Sequence, residues 1–212
     1  MVGTLPPVAA EPGSVPGPRR PLEQSDQVRR WYENELGWPT VPGRPGSVVR
    51  LSVGVRFDVL DLPAAAGHAT LRHLAPGSPV ALRGDRMRLL VAAGSAEELP
   101  GILDWLEWGA LTLDLTAIGE GGTIEAPPPP EPGRTGVRPP LPGPGCSQTA
   151  QGAAVWLRPP EPECEVEASL PALSAVGGGG NAPDLVRVVA TAATQCHRLR
   201  LRRADARRPV CS

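Results

Sequence analysis

Residues 54–93, GVRFDVLDLPAAAGHATLRHLAPGSPVALRGDRMRLLVAA, decide the fold. Val53, Val55, Phe57, Val59 and Leu60 favour a strand, because β-branched and aromatic side chains pack well on a pleated surface. The strand is expected to give way to a helix at Asp61, which is placed either to cap that helix or to stand as a site carboxylate, with Pro63 in the first turn. Leu71 and Leu74 supply the helix with an apolar side. Gly67 weakens it by about 1 kcal/mol relative to alanine. Residues 79–82 and 87–91 read as the arms of a hairpin around Arg83-Gly84-Asp85-Arg86, since glycine accepts positive φ without steric cost. The expected product is an antiparallel pair beside the first strand.

Upstream, residues 22–36 carry Val28, Trp31, Tyr32 and Leu36 at helical spacing, and Gly37 stops the pattern. Prolines at 39, 42 and 45 make the next stretch extended and turn-rich, before residues 47–53 resume as strand. Downstream, Ser95 and Glu98 have capping-box spacing and open a helix through Ile102, Leu103, Trp105 and Leu106, although Pro100 suits only its first turns. Leu111, Leu113 and Leu115 alternate with Thr112, Asp114 and Thr116, which predicts a half-buried strand with Asp114 solvated. A turn at 119–122 leads to a short return strand at 123–125, and residues 152–158 return to the sheet until Pro159 and Pro160. Glu161, Glu163, Glu165 and Glu167 would share one face of a strand as a solvated acidic edge. A last helix spans residues 183–203, capped by Asn181, with Leu185, Val189, Ala192, Cys196 and Leu199 on its buried side.

The chain has 212 residues, among them 28 prolines and 25 glycines, a share that marks low-complexity segments. The expected class is α+β, a mixed, mainly antiparallel sheet with flanking helices. Residues 1–21 read as a disordered Pro/Gly-rich arm and 22–160 as the domain, with a proline-rich insertion at about 126–149. Residues 161–182 follow as an acidic and Gly-rich linker, and 183–212 as an amphipathic helix with an Arg-rich tail. Aromatic residues are few, so valine, leucine and alanine are expected to fill the core. All basic residues are arginine, a compositional bias that removes most of the weight of arginine counts as a sign of nucleic-acid binding. A net charge of −1 likewise points to no polyanionic partner.

Cys146, Cys164, Cys196 and Cys211 are too widely spaced for a metal cluster or a disulfide framework, and are expected to be free thiols. His197 beside Cys196 lacks two further ligands at metal spacing. The N-terminal residues have neither a basic start nor an apolar run, and no stretch is long enough to span a membrane, so a cytoplasmic protein without membrane partners is expected. RPPLP at 138–142 has the form of a polyproline ligand, but a spacer is the simpler reading. Phosphate-binding loops, the GxSxG elbow, HExxH and paired CxxC are absent.

A helix, then GWPTVPGRPG (37–46), a hydrophobic strand ending VLDLP (59–63), a G-xxxx-L-xx-L helix and the hairpin GDRMRLLV (84–91) together resemble the N-terminal domain of bifunctional DNA primase/polymerases. The likeness is to the shortened, divergent actinobacterial copies, and it covers roughly residues 25–160. It implies an acid-x-acid pair at the end of the first strand, holding the divalent metals of nucleotidyl transfer, and a histidine on the later hairpin. Asp61 falls at the first acidic place, but Pro63 falls at the second and Met87 at the histidine. Asp58, three residues before Asp61 on a strand, points to the opposite face and cannot share a metal with it without a bend in the strand.

The expected function is therefore a non-catalytic primase/polymerase-like module that binds nucleic acid or a protein partner. Arg83, Arg86 and Arg88 of the hairpin, with Arg198, Arg200, Arg202 and Arg203 of the last helix, would form a nucleic-acid surface. Two alternatives stand beside it. One is a residual nucleotidyl transferase using Asp58 and Asp61 with Mg²⁺ or Mn²⁺, no cofactor being expected otherwise. The other is a proline-rich protein-interaction module.

Overall fold

A strand buried at every position needs a cover on both faces, and residues Phe57–Pro63 form such a strand. The structure is a computed structural model, and it describes residues 24–130, 152–162, 166–173 and 183–206. In chain order the strands are β1 (Arg50–Ser52), β2 (Phe57–Pro63), β3 (Val80–Arg83), β4 (Arg86–Ala92), β5 (Thr116–Ile118), β6 (Thr123–Glu125) and β7 (Ala154–Arg158). The helices are α1 (Gln24–Arg30), extended by a π-helical turn at Trp31–Glu35, then α2 (Ala64–Thr70), α3 (Ser95–Trp105), α4 (Val166–Ser169) and α5 (Leu185–Ala206). A five-stranded sheet has the order β5-β2-β4-β3-β7, and β1 pairs with β6 in a separate ribbon. The class is α+β as expected, but among the described residues all pairings between these strands are antiparallel rather than mixed, an isolated bridge between Ala172 and Asp184 being parallel.

The register divides the side chains between two cores. Leu60 and Leu62 of β2 join Val80, Met87, Leu89 and Val91 under α2, α3 and α5. Phe57 and Val59 join Leu90 on the other face, against Tyr32, Trp38, Leu51 and Ile124. This is the period of two that a strand imposes. The helical side is filled by valine, leucine and alanine, as composition suggests, and α5 is built into it through Leu185, Val189, Ala192 and Cys196. The opposite side gathers most of the aromatic residues. Trp38 lies 4.6 Å from Phe57 and 6.0 Å from Tyr32, centroid to centroid, and its edge meets Trp156. The Tyr32 hydroxyl donates to the Pro127 carbonyl at 2.6 Å and accepts from Trp156 Nε1 at 3.1 Å. Burial raises its pKa above the usual phenol value, so the neutral, donating form is held.

The hairpin forms as the sequence predicts, with Arg83 opposite Arg86 and Gly84 at φ +60°. Other expectations are corrected. β2 runs on to Pro63, so Asp61 lies inside the strand and caps nothing, and Pro63 precedes the helix rather than entering it. Residues 111–115 form no strand, because the pairing with β2 begins at Thr116. Ser95 makes no capping bond, since the helix already includes it and Gly94 takes the cap position. Pro100 sits well inside α3. The Glu161–Glu167 alternation is not a strand at its end, where Val166–Ser169 is helical and Glu167 pairs with Arg56 at 2.7 Å. Asp184 takes the capping role on α5, accepting from Val186 N at 2.9 Å. Asn181, the 1–21 arm, most of the proline-rich insertion with RPPLP, and Cys146, Cys164 and Cys211 lie outside the described residues.

Gly67 also reverses its sequence reading. It is buried in α2, where an added Cβ would come within 2.3 Å of Met87 Sδ. Helix propensity favours alanine there, but the approach of α2 to β4 forbids it. Gly67→Ala should therefore destabilise the protein by about 1–3 kcal/mol, the range for overpacking, in urea denaturation. A gain in stability would show that Met87 yields at no cost.

Candidate functional site

Asp61 and Arg88 are directly opposed across the β2–β4 ladder, on the face away from α5. Both are buried, and Arg88 Nε lies 3.0 Å from Asp61 Oδ2. Arg86, two residues before Arg88 and so on the same face, puts its Nε 2.6 Å from Asp61 Oδ1. Each carboxylate oxygen is thus taken by a different guanidinium. Arg86 then reaches past the end of β2, where its Nη1 meets Asp114 Oδ1 at 2.5 Å. Burial pulls the Arg86 pKa down, but hydrogen bonds to Asp114 and Asp61 outweigh it, and the net shift is upward.

Asp114 links this chain of charges to α5. Its Oδ2 lies 3.6 Å from Arg203 Nη1, its backbone carbonyl is 3.4 Å from Cys196 Sγ, and Arg200 Nη1 donates to Thr112 O at 2.9 Å. These residues, with Pro63 and Leu199, line a cavity of about 360 Å³. Asp114 is exposed, as its polar phase in the Leu111–Leu115 alternation predicts, and it also pairs with Arg86 and Arg203. Burial, followed by the Asp114 charge, pushes the Cys196 thiol up to about 11.

Asp58 is on the other face and serves another purpose. It is 1% exposed, and its Oδ2 accepts from Ala96 N at 2.9 Å, supplying from β2 the cap that Ser95 does not give to α3. The two sequence candidates for catalysis are thus separated by the sheet, as their spacing requires.

The arginines expected to form one surface fall into separate places. Arg88 is enclosed and bound to Asp61, so it is not available to a ligand at the surface. Arg83 pairs with Glu125 of β6 at 3.1 Å. Arg86, Arg200 and Arg203 do converge, around Asp114 and Thr112. Arg198 and Arg202, four apart on α5, are exposed on a different side of the helix. His197 packs on Trp108 with centroids 5.6 Å apart.

A divalent cation does not suit this donor set. Both Asp61 oxygens already face guanidiniums, and the cluster holds more of these than carboxylates. Among the described residues, no group of three or more His, Cys, Asp or Glu side chains could hold a metal. No family model matches the chain, and neither a curated protein nor a solved structure does. Among the described residues, no helix is long and apolar enough to cross a membrane.

Removing Asp61 leaves two guanidiniums without their carboxylate. Asp61→Ala should cost about 3–5 kcal/mol in urea denaturation, the range for breaking a buried pair. Asp58→Ala, losing a helix cap, should cost about 1 kcal/mol. Equal effects would show that the Arg86–Asp61–Arg88 cluster contributes no more than a cap.

Cys196 supplies a pH dependence. The fold favours its neutral thiol, so that contribution is complete below the ordinary thiol range and is lost as pH rises towards about 11. At mildly alkaline pH, iodoacetamide should label Cys196 far more slowly in the native protein than in urea, as read by peptide mass spectrometry. Equal labelling would mean that the thiol is not held by the fold.

Proposed function

We propose that this chain is a non-catalytic, cytoplasmic, primase/polymerase-like module that binds nucleic acid. The observation that carries the first part is the clamping of Asp61 by Arg86 and Arg88. Two-metal nucleotidyl transfer needs carboxylates with free lone pairs around a metal pair about 3.5–4 Å across. Here the single carboxylate in the family's acidic position is occupied by cations, and Pro63 beside it offers no ligand. In such a site the former metal charge is replaced by two side chains fixed in the fold. The nucleic-acid part is supported by the exposed arginines of α5, which continue beyond those bonded to Asp114 and Thr112.

The test is fluorescence anisotropy of short labelled single-stranded and duplex DNA over a salt series, with and without Mg²⁺ or Mn²⁺. Binding should occur without metal and weaken with salt, the logarithm of affinity falling by about 0.7 for each single-strand phosphate neutralised. Asp61→Asn, which keeps the side-chain volume, should leave affinity unchanged. Metal-dependent binding or nucleotide incorporation abolished in Asp61→Asn would restore the enzyme reading. Absence of binding at every salt concentration would transfer the module to a protein partner.

A further inference from the structure

The 3₁₀ turn Leu71–His73 that ends α2 lies beside α5, and a cleft of about 450 Å³ opens between them. Its charged and polar lining comes from Arg72 and His73 on the turn, and from Arg187, Thr191, Thr194, Gln195 and Arg198 on α5. The α5 residues recur at steps of three and four, so they form one row along the helix. Among the described residues, no carboxylate lines the cleft. This distinguishes it from the Asp114 cavity, where the guanidiniums are already bonded within the fold.

Arg72, Arg187 and Arg198 make no ion pair among the described residues. Arg72 instead donates from Nε to His73 Nε2 at 3.0 Å, which needs His73 neutral at that nitrogen. Partial burial, then the charges of Arg72 and Arg187, hold the His73 pKa below the usual histidine range. Three guanidiniums therefore line the cleft, with no acid beside them among the described residues.

We propose that this cleft binds the phosphodiester backbone of nucleic acid, with Arg72, Arg187 and Arg198 each set to meet a phosphate. The assignment rests on the nucleic-acid reading above and locates it. Arg187 and Arg198 are separated by roughly 16 Å of helix, the rise of about five nucleotides along one strand. A single phosphate or a mononucleotide would engage only one end. Apart from His73, no ring among the described residues lines the cleft for a base to stack on, so the contacts position a backbone without reading its sequence. Arg202 continues the row one turn beyond Arg198.

The experiment measures anisotropy of a labelled oligothymidine and of a mixed-sequence oligonucleotide with the full chain. It compares wild type, Arg72→Gln/Arg187→Gln, and Arg44→Gln, an exposed arginine elsewhere. All substituted side chains are exposed, and thermal melts by circular dichroism check that each variant is folded. The double variant should bind both oligonucleotides about tenfold or more weakly, with a salt slope smaller by about 1.4, while Arg44→Gln matches wild type. Wild-type binding with an unaltered double variant would overturn the cleft assignment and leave the nucleic-acid reading standing. No binding by wild type would overturn both. Loss in the double variant for one sequence only would overturn the backbone reading, since phosphate contacts carry no sequence preference.

Discussion

Strand β2 has no solvent face, and this governs what surrounds it. Its seven residues are covered on one side by helices and on the other by the aromatic layer and the β1–β6 ribbon. Apolar side chains serve both layers, but Asp58 and Asp61 each have to find polar partners inside them. An unsatisfied buried polar group costs about 1–3 kcal/mol, and a buried charge more. Asp58 meets the need at Oδ2 with a backbone amide of α3, which ties that helix to the sheet, while its Oδ1 has no partner among the described residues. Asp61 meets it with two guanidiniums from the neighbouring strand, which ties the end of β2 to the hairpin.

The second solution has a chemical result. The Asp61 carboxylate is the anionic centre of an arginine cluster. Arginine suits the task because its donors lie in a rigid fork and its charge persists after desolvation. Arg86 uses that fork to reach both Asp61 and Asp114. Through Asp114 the sheet is joined to Arg203 and to the backbone near Cys196 of α5. Charge that would otherwise face a ligand is absorbed into structure at this end of the molecule. The balance differs at the 3₁₀ turn beside α5, where comparable guanidiniums meet no acid.

Local signals were legible where the chain supplies its own partner. The hairpin announces itself through Gly84-Asp85 between apolar arms, and α5 through the spacing of Leu185, Val189, Ala192 and Cys196. The return of residues 154–158 to the sheet was also readable from β propensity bounded by Pro159. What escaped depends on neighbours distant in sequence. Ser95 and Glu98 have the spacing of a capping box, yet a carboxylate far upstream does the work. Gly67 reads as a weak point in a helix until Met87 is seen against it. Asp114 is exposed as read, but alternation with leucines carries no information about its partners Arg86 and Arg203. The opposed orientation of Asp58 and Asp61 was legible from strand geometry, but the occupation of Asp61 by two arginines was not. Arg72 and Arg187 carried no local mark at all, because only tertiary packing places their elements side by side.

The order of the elements along the chain also bears on how the protein is made. β3 receives its outer neighbour β7 only after a long intervening segment, and the helical cover of Leu60, Leu62, Leu89 and Val91 includes α5, the last element described. Such pairings close large loops before they gain any contact energy, which slows folding. On the ribosome, the sheet's apolar face emerges well ahead of the helix that completes its cover. A nascent chain halted before α5 exposes the apolar side chains that α5 covers in the folded protein, the kind of surface that makes partly folded chains associate.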